Sequence, residues 1–139
     1  MAFDFLVPVN DKILAHCELL PPQALGNKIH KHTERKGLPV LANATFAIIG
    51  VNESRNAFEK KTEHLNISAI RHQLYKLMRG NWNGTIVDLG DIDEGEAVED
   101  TYFVVKEIVA ELLEENIIAI VIGATQDITY PTYRAFDGL

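Results

Sequence analysis

With 139 residues, 47% of them hydrophobic and 24% charged, the chain has the size and make-up of one globular domain, which sets aside intrinsic disorder. Its net charge of −7 leaves no basic surplus to displace phosphate counterions, so neither nucleic acid nor an anionic membrane is an expected partner. No apolar run reaches membrane-spanning length. The single cysteine, Cys17, cannot close an internal disulfide. Met1-Ala2-Phe3-Asp4-Phe5 carries an early acid and no basic stretch, unlike a signal peptide. A cytoplasmic location is expected.

The first 44 residues hold Pro8, Pro21, Pro22, Gly26, Gly37 and Pro39 without sustained periodicity, and read as an extension laid over the domain. One short helix is predicted around 23–31, after the double proline. His30 and His32 form an H-x-H pair read as solvated; His16, His64 and His72 read as isolated. Cys17, beside His16, is assigned to packing.

Regular patterning occupies residues 45–139. Thr45-Phe46-Ala47-Ile48-Ile49 is a continuous apolar run that suits a strand buried on both faces. A helix is predicted over 67–79, with Asn66 as N-cap, Gly80 as C′ residue and Ile67, Ile70, Leu74, Leu77 and Met78 as its buried stripe. The second strand is 85–89, followed by an acidic turn over 90–100. A long helix follows, with Val104, Val105, Ile108, Val109, Leu112 and Leu113 on one face and Glu96, Glu99 and Asp100 near its positive end. Asn116 ends it. The third strand, 117–122, is another buried apolar run, and a last helix opens near Pro131. Alternating strands and helices with apolar strands predict an α/β fold: a parallel sheet between two helix layers, with right-handed crossovers.

Ligands of such sheets bind beyond the carboxyl ends of the strands. The residues to weigh are therefore Asn52, Glu53 and Arg55 after strand one, Asp91 after strand two, and Gln126 and Asp127 after strand three. The acidic run from Asp91 is not an EF-hand, because Glu96 and Tyr102 stand where glycine and glutamate are required. It reads as solvated acids matched to a helix dipole. No G-x-G-x-x-G or G-x-x-x-x-G-K-[ST] occurs, which weakens a nucleotide-binding or flavodoxin-like reading. Gln126 and Asp127 admit two readings: a cap for the last helix, or the rim of a ligand site.

Four segments carry a more specific likeness. Ile48-Ile49-Gly50-Val51, Ile67-Ser68-Ala69-Ile70-Arg71, Val87-Asp88-Leu89-Gly90-Asp91-Ile92 and Ile120-Val121-Ile122-Gly123-Ala124-Thr125-Gln126-Asp127 follow one another in the order and spacing of ureohydrolases. The chain resembles the arginase, agmatinase and formimidoylglutamase family from about residue 45 onward. Glu53, Arg55 and the long extension bring it nearest the formimidoylglutamase-like branch. The resemblance implies the first three strands of an arginase-like sheet in order 2-1-3, with strand three as an edge. Two copies are expected to associate along that edge, or the extension or last helix to cover it. It also implies a manganese hydrolase acting on C–N bonds of a linear amidine, in which two metals hold a bridging hydroxide. Of the family's metal-ligand segments only the first maps here. Gln126 stands at its histidine, and the other two would lie beyond Leu139. No catalytic residue and no metal are therefore expected in this chain, which reads as an inactive segment of a longer hydrolase. The alternative is a non-catalytic binding or assembly module of the same fold.

Overall fold

The computed structural model describes residues 1–58 and 66–138, so the expectation for His64 lies outside the described residues. In chain order the elements are β1 (Leu6–Val7), α1 (Asp11–Cys17), α2 (Leu25–Lys28), β2 (His30–Lys31), β3 (Phe46–Asn52), α3 (Ile67–Tyr75), β4 (Ile86–Asp93), α4 (Val98–Glu114), β5 (Ile118–Gly123) and α5 (Thr129–Arg134). One-turn 3₁₀ segments precede β1 and α5. The sheet is mixed and mostly parallel, in order β1-β4-β3-β5, with β2 also on β4. Only β1 runs antiparallel, pairing Leu6 with Ile92 and Val7 with Asp91. Among the described residues no helix is long and apolar enough to cross a membrane.

Helices lie on both faces. On one, Ala47, Ile49, Val51, Val87, Leu89 and Ile92 meet the stripe of α4 formed by Val105, Ile108, Val109 and Leu112. Each fully buried aliphatic side chain there stabilises the fold by roughly 1.5–3 kcal/mol relative to exposure. On the other face, Ile48 packs with Val9, Ile13, Cys17, Ile29 and Tyr75. The alternation of inward side chains along β3 sends Ile48 one way and Ala47 and Ile49 the other. Asn66 caps α3, its Oδ1 accepting from the Ala69 N–H at 3.3 Å. Asn116 adopts the left-handed region at φ 58°, which turns the chain out of α4 into β5.

Several expectations are corrected. Residues 1–44 do more than cover the domain: β1 and β2 extend the sheet, and α1 and Ile29 form part of the second core. The predicted helix at 23–31 shrinks to α2, because the chain leaves it to form β2. Residues 90–93, expected to turn, belong to β4, because β1 supplies them with a pairing partner. Helix α3 ends at Tyr75, not at residue 79. Beyond it the Leu77 carbonyl accepts from Leu25 N–H at 2.7 Å, and Arg79 N–H donates to Gln23 at 3.0 Å. Leu77 and Met78 are accordingly exposed; Ile70 sits on the outer face of α3, whose buried stripe is Ile67, Arg71 and Tyr75. β5 is not buried on both faces. Ile118 is 54% and Ile120 39% exposed, because their side of the strand lies beyond the cover of α1 and α3. His32 is buried, its Nδ1 2.9 Å from the Leu89 carbonyl. His16 and His72 are not isolated: their ring centroids lie 4.1 Å apart. Burial, then His16, then Lys76 push His72 below the usual histidine value.

Candidate functional site

Two segments distant in sequence meet on the α3 face of β4. Arg71, Tyr75 and Asp88 are all buried. Arg71 Nε donates to Asp88 Oδ2 at 2.9 Å, Arg71 Nη2 to Asp88 Oδ1 at 3.2 Å, and the Tyr75 hydroxyl to Asp88 Oδ2 at 2.6 Å. Gly90 N–H adds a fourth donor to this carboxylate at 3.0 Å. Arg71 also donates to the Gly90 carbonyl at 3.2 Å and pairs with Asp91 at 2.8 Å. The four-residue spacing of Ile67, Arg71 and Tyr75 on α3 aims both polar side chains at the sheet. Burial opposes the charge on Arg71, but Asp88 and Asp91 outweigh it and raise the guanidinium above its ordinary value. Burial, reinforced by the Asp88 charge, pushes the Tyr75 hydroxyl up, so it stays a donor. Asp91 lies against Gly50, where a Cβ would come within 2.0 Å of Asp91 Oδ1 and 2.8 Å of Ile67. Glycine at 50 is what lets the Asp91 carboxylate cross β3.

The carboxyl ends of the strands carry two further clusters. Glu53, just past β3, is fully buried. Its Oε1 accepts from Arg55 N–H and Nε, both at 3.0 Å, and its Oε2 from Arg55 Nη2 at 2.6 Å and Thr101 Oγ1 at 2.9 Å. The Arg55 side-chain hydrogen bonds hold the Glu53 carboxyl down at about 2, against the opposing effect of burial. Arg55 reaches on to the Gly95 and Glu96 carbonyls, each at 3.0 Å, and so ties the β3 exit to the turn before α4. In the second cluster Asp127 accepts from both the Tyr102 and the Thr125 hydroxyls. Asn56 donates to Tyr102 Oη at 3.2 Å, and Thr125 Oγ1 lies 3.2 Å from the Glu53 carbonyl.

The six residues singled out from the sequence thus fall into different roles. Glu53 and Arg55 hold each other. Asp127 joins them through Thr125, Asp91 turns to Arg71, and Asn52 donates to Asp93 at 2.9 Å. Gln126 is exposed and lines a cleft of about 440 Å³ beside β5 with Val121, Thr125 and Thr132. The capping role for Gln126 and Asp127 is overturned: α5 has no side-chain cap, because the Asp127 carboxylate is engaged by Tyr102 and Thr125. Thr101, Tyr102, Asn56 and Thr125 were not singled out as site residues, although Asn56 and Thr125 stand in the segments that follow β3 and β5.

A carboxylate that serves as general base must lie within reach of a substrate proton. Glu53, Asp88, Asp91 and Asp127 are each engaged by an arginine, tyrosine or threonine of the chain itself. The arrangement suits a rigid rim offering the Gln126 amide for hydrogen bonding, rather than acid–base chemistry. Nor does it fit the manganese the resemblance implies. Manganese takes several oxygen donors, carboxylates among them, whereas Gln126 supplies one neutral amide oxygen and its neighbour Asp127 already accepts two hydroxyls. No group of three or more His, Cys, Asp or Glu side chains among the described residues is placed to hold a metal ion. Compared with protein families, curated proteins and solved structures, the chain matches none.

Proposed function

We propose that the chain is the scaffold segment of a ureohydrolase-type protein, formimidoylglutamase-like, whose hydrolysis of a linear amidine requires residues outside this sequence. The observation that carries the reading is the Arg71–Asp88–Asp91 lock. It joins the I-R segment to the D-x-G-D segment, two of the four on which the likeness rests. The strand succession β4-β3-β5 and the position of Gln126 after β5 are compatible with it. The chain alone is inactive in this reading, and manganese belongs to the rest of the protein. A cytoplasmic setting goes with the single buried thiol of Cys17. Self-association runs through the outer edge of β5, which among the described residues pairs only with β3.

The exposed Gln126 amide, at the position where the resemblance calls for a metal histidine, favours a second reading: a ureohydrolase-fold module without a metal centre, which binds or assembles. Ammonia or formamide release from formimidoylglutamate, with manganese present, separates the two. The scaffold reading predicts turnover by the native full-length gene product and none by residues 1–139. The module reading predicts turnover by neither. Turnover by residues 1–139 alone contradicts both.

A further inference from the structure

The amino end of the sheet, opposite the clusters described above, holds an open cleft of about 860 Å³ between the β2 segment and the residues that lead into β3 and β4. Among the described residues Lys31, Arg35 and Lys36 line it, and no Asp or Glu does. In a chain of net charge −7 this is a local inversion of sign. None of the three cations forms an ion pair among the described residues. Arg35 and Lys36 are presented on a closed turn. Thr33 and Gly37 exchange backbone hydrogen bonds of 3.2 and 2.8 Å, and Lys36 N–H donates to Thr33 Oγ1 at 3.1 Å. Gly37 at φ +72° closes the turn, a conformation that favours glycine. Lys31 is anchored from below by the Gly26 and Ile29 carbonyls. Burial lowers the Lys31 ammonium first of all, while Cys17 and Asp88 oppose the shift, and its Nζ lies 5.7 Å from the Tyr75 ring centre, so its charge is answered from the protein side. The rest of the lining is largely apolar, with Leu14, Ile29, Leu38 and Val40 contributing. A concave, mostly apolar wall with a few converging charges is the usual build of a small-molecule site.

We infer that this cleft binds a small organic anion with an apolar body, its carboxylate or phosphate held by Arg35 and Lys36 and its body against Leu38 and Val40. Arg35 offers a planar fork matched to either head group. The site stands apart from the carboxyl ends of the strands and does not depend on the ureohydrolase reading.

The test is a titration of the ¹⁵N-labelled full chain with phenyl phosphate, benzoate and inorganic phosphate, followed by amide chemical shifts. Arg35 and Lys36 are exposed, so the double variant Arg35→Glu/Lys36→Glu leaves the core intact. Shifts confined to residues 29–43 and Thr85 are expected, with phenyl phosphate binding more tightly than inorganic phosphate. Reversing two charges that each contribute up to about 1 kcal/mol should weaken it about tenfold or more. Lys106→Glu, on α4, should change it less than about twofold. Benzoate against phenyl phosphate distinguishes a carboxylate from a phosphate ligand, and binding of either through the same residues supports the site. Shifts scattered over the surface, or an affinity unchanged in the double variant, overturn it. Equal binding of inorganic and phenyl phosphate removes the apolar part of the assignment.

Discussion

The two flanks of the sheet are finished differently. On the β4 flank, β1 and β2 occupy successive stretches of the strand, and the buried Arg71–Asp88–Tyr75 lock fastens α3 beneath it. On the β5 flank the outer backbone edge pairs with no strand among the described residues, and Ile118 and Ile120 stand exposed. β4 carries three aspartates among its apolar residues, whereas β5 is apolar throughout. What decides which is covered is the polar side chain that β4 carries inward. Asp88 demands partners, and α3 supplies them with Arg71 and Tyr75. β5 carries no such group, and its apolar side chains leave its surroundings unspecified.

Breaking the β4 flank should have the largest effect. Arg71→Met leaves Asp88 and Asp91 short of their charged partner in a buried setting, which costs about 3–5 kcal/mol. Urea denaturation should show the loss, and a change under about 1 kcal/mol would mean that the lock contributes little. Gly50→Ala forces Asp91 and Ile67 aside, a strain of roughly 1–3 kcal/mol that should appear in the same measurement. Glu53 tests the carboxyl end. Its carboxyl is held at about 2, below the ordinary 4.5, first by the Arg55 side-chain hydrogen bonds. A depressed carboxyl stabilises fully above its unfolded value and loses that contribution as pH falls through about 2. Glu53→Gln should therefore lose roughly 1–3 kcal/mol at neutral pH, with the gap to the parent chain closing as denaturation is followed from pH 5 to pH 2. A gap independent of pH would assign the effect to packing. The smallest change in stability belongs to Ile118→Lys/Ile120→Lys, within about 0.5 kcal/mol. Sedimentation should nonetheless show self-association weakened, since lysines on an edge strand block strand pairing.

Much of this architecture was legible in the sequence. The three long strands, the α4 stripe and the Asn66 cap follow from apolar runs, helical spacing and a capping side chain. Glu53, Arg55 and Asp127, weighed for their places after the strands, lie near one another at the carboxyl ends. The reading failed where polar residues do core work. Counting apolar positions placed Leu77 and Met78 inside, whereas Arg71 and Tyr75 are the buried residues, because Asp88 opposite them offsets the cost of burying charge. β1 and β2 are two residues each, too short for any period to register. They exist only because β4 offers a pairing edge. Long-range partners such as Thr101 for Glu53 leave no local mark.

Hydrogen exchange of the backbone amides, read strand by strand at two protein concentrations, tests the contrast between the flanks most directly. In dilute solution the β4 amides should exchange only with global unfolding. The β5 amides that face the free edge should exchange orders of magnitude faster, and should gain protection as concentration rises and a second copy pairs there. Equal protection of β4 and β5 at low concentration would contradict the account.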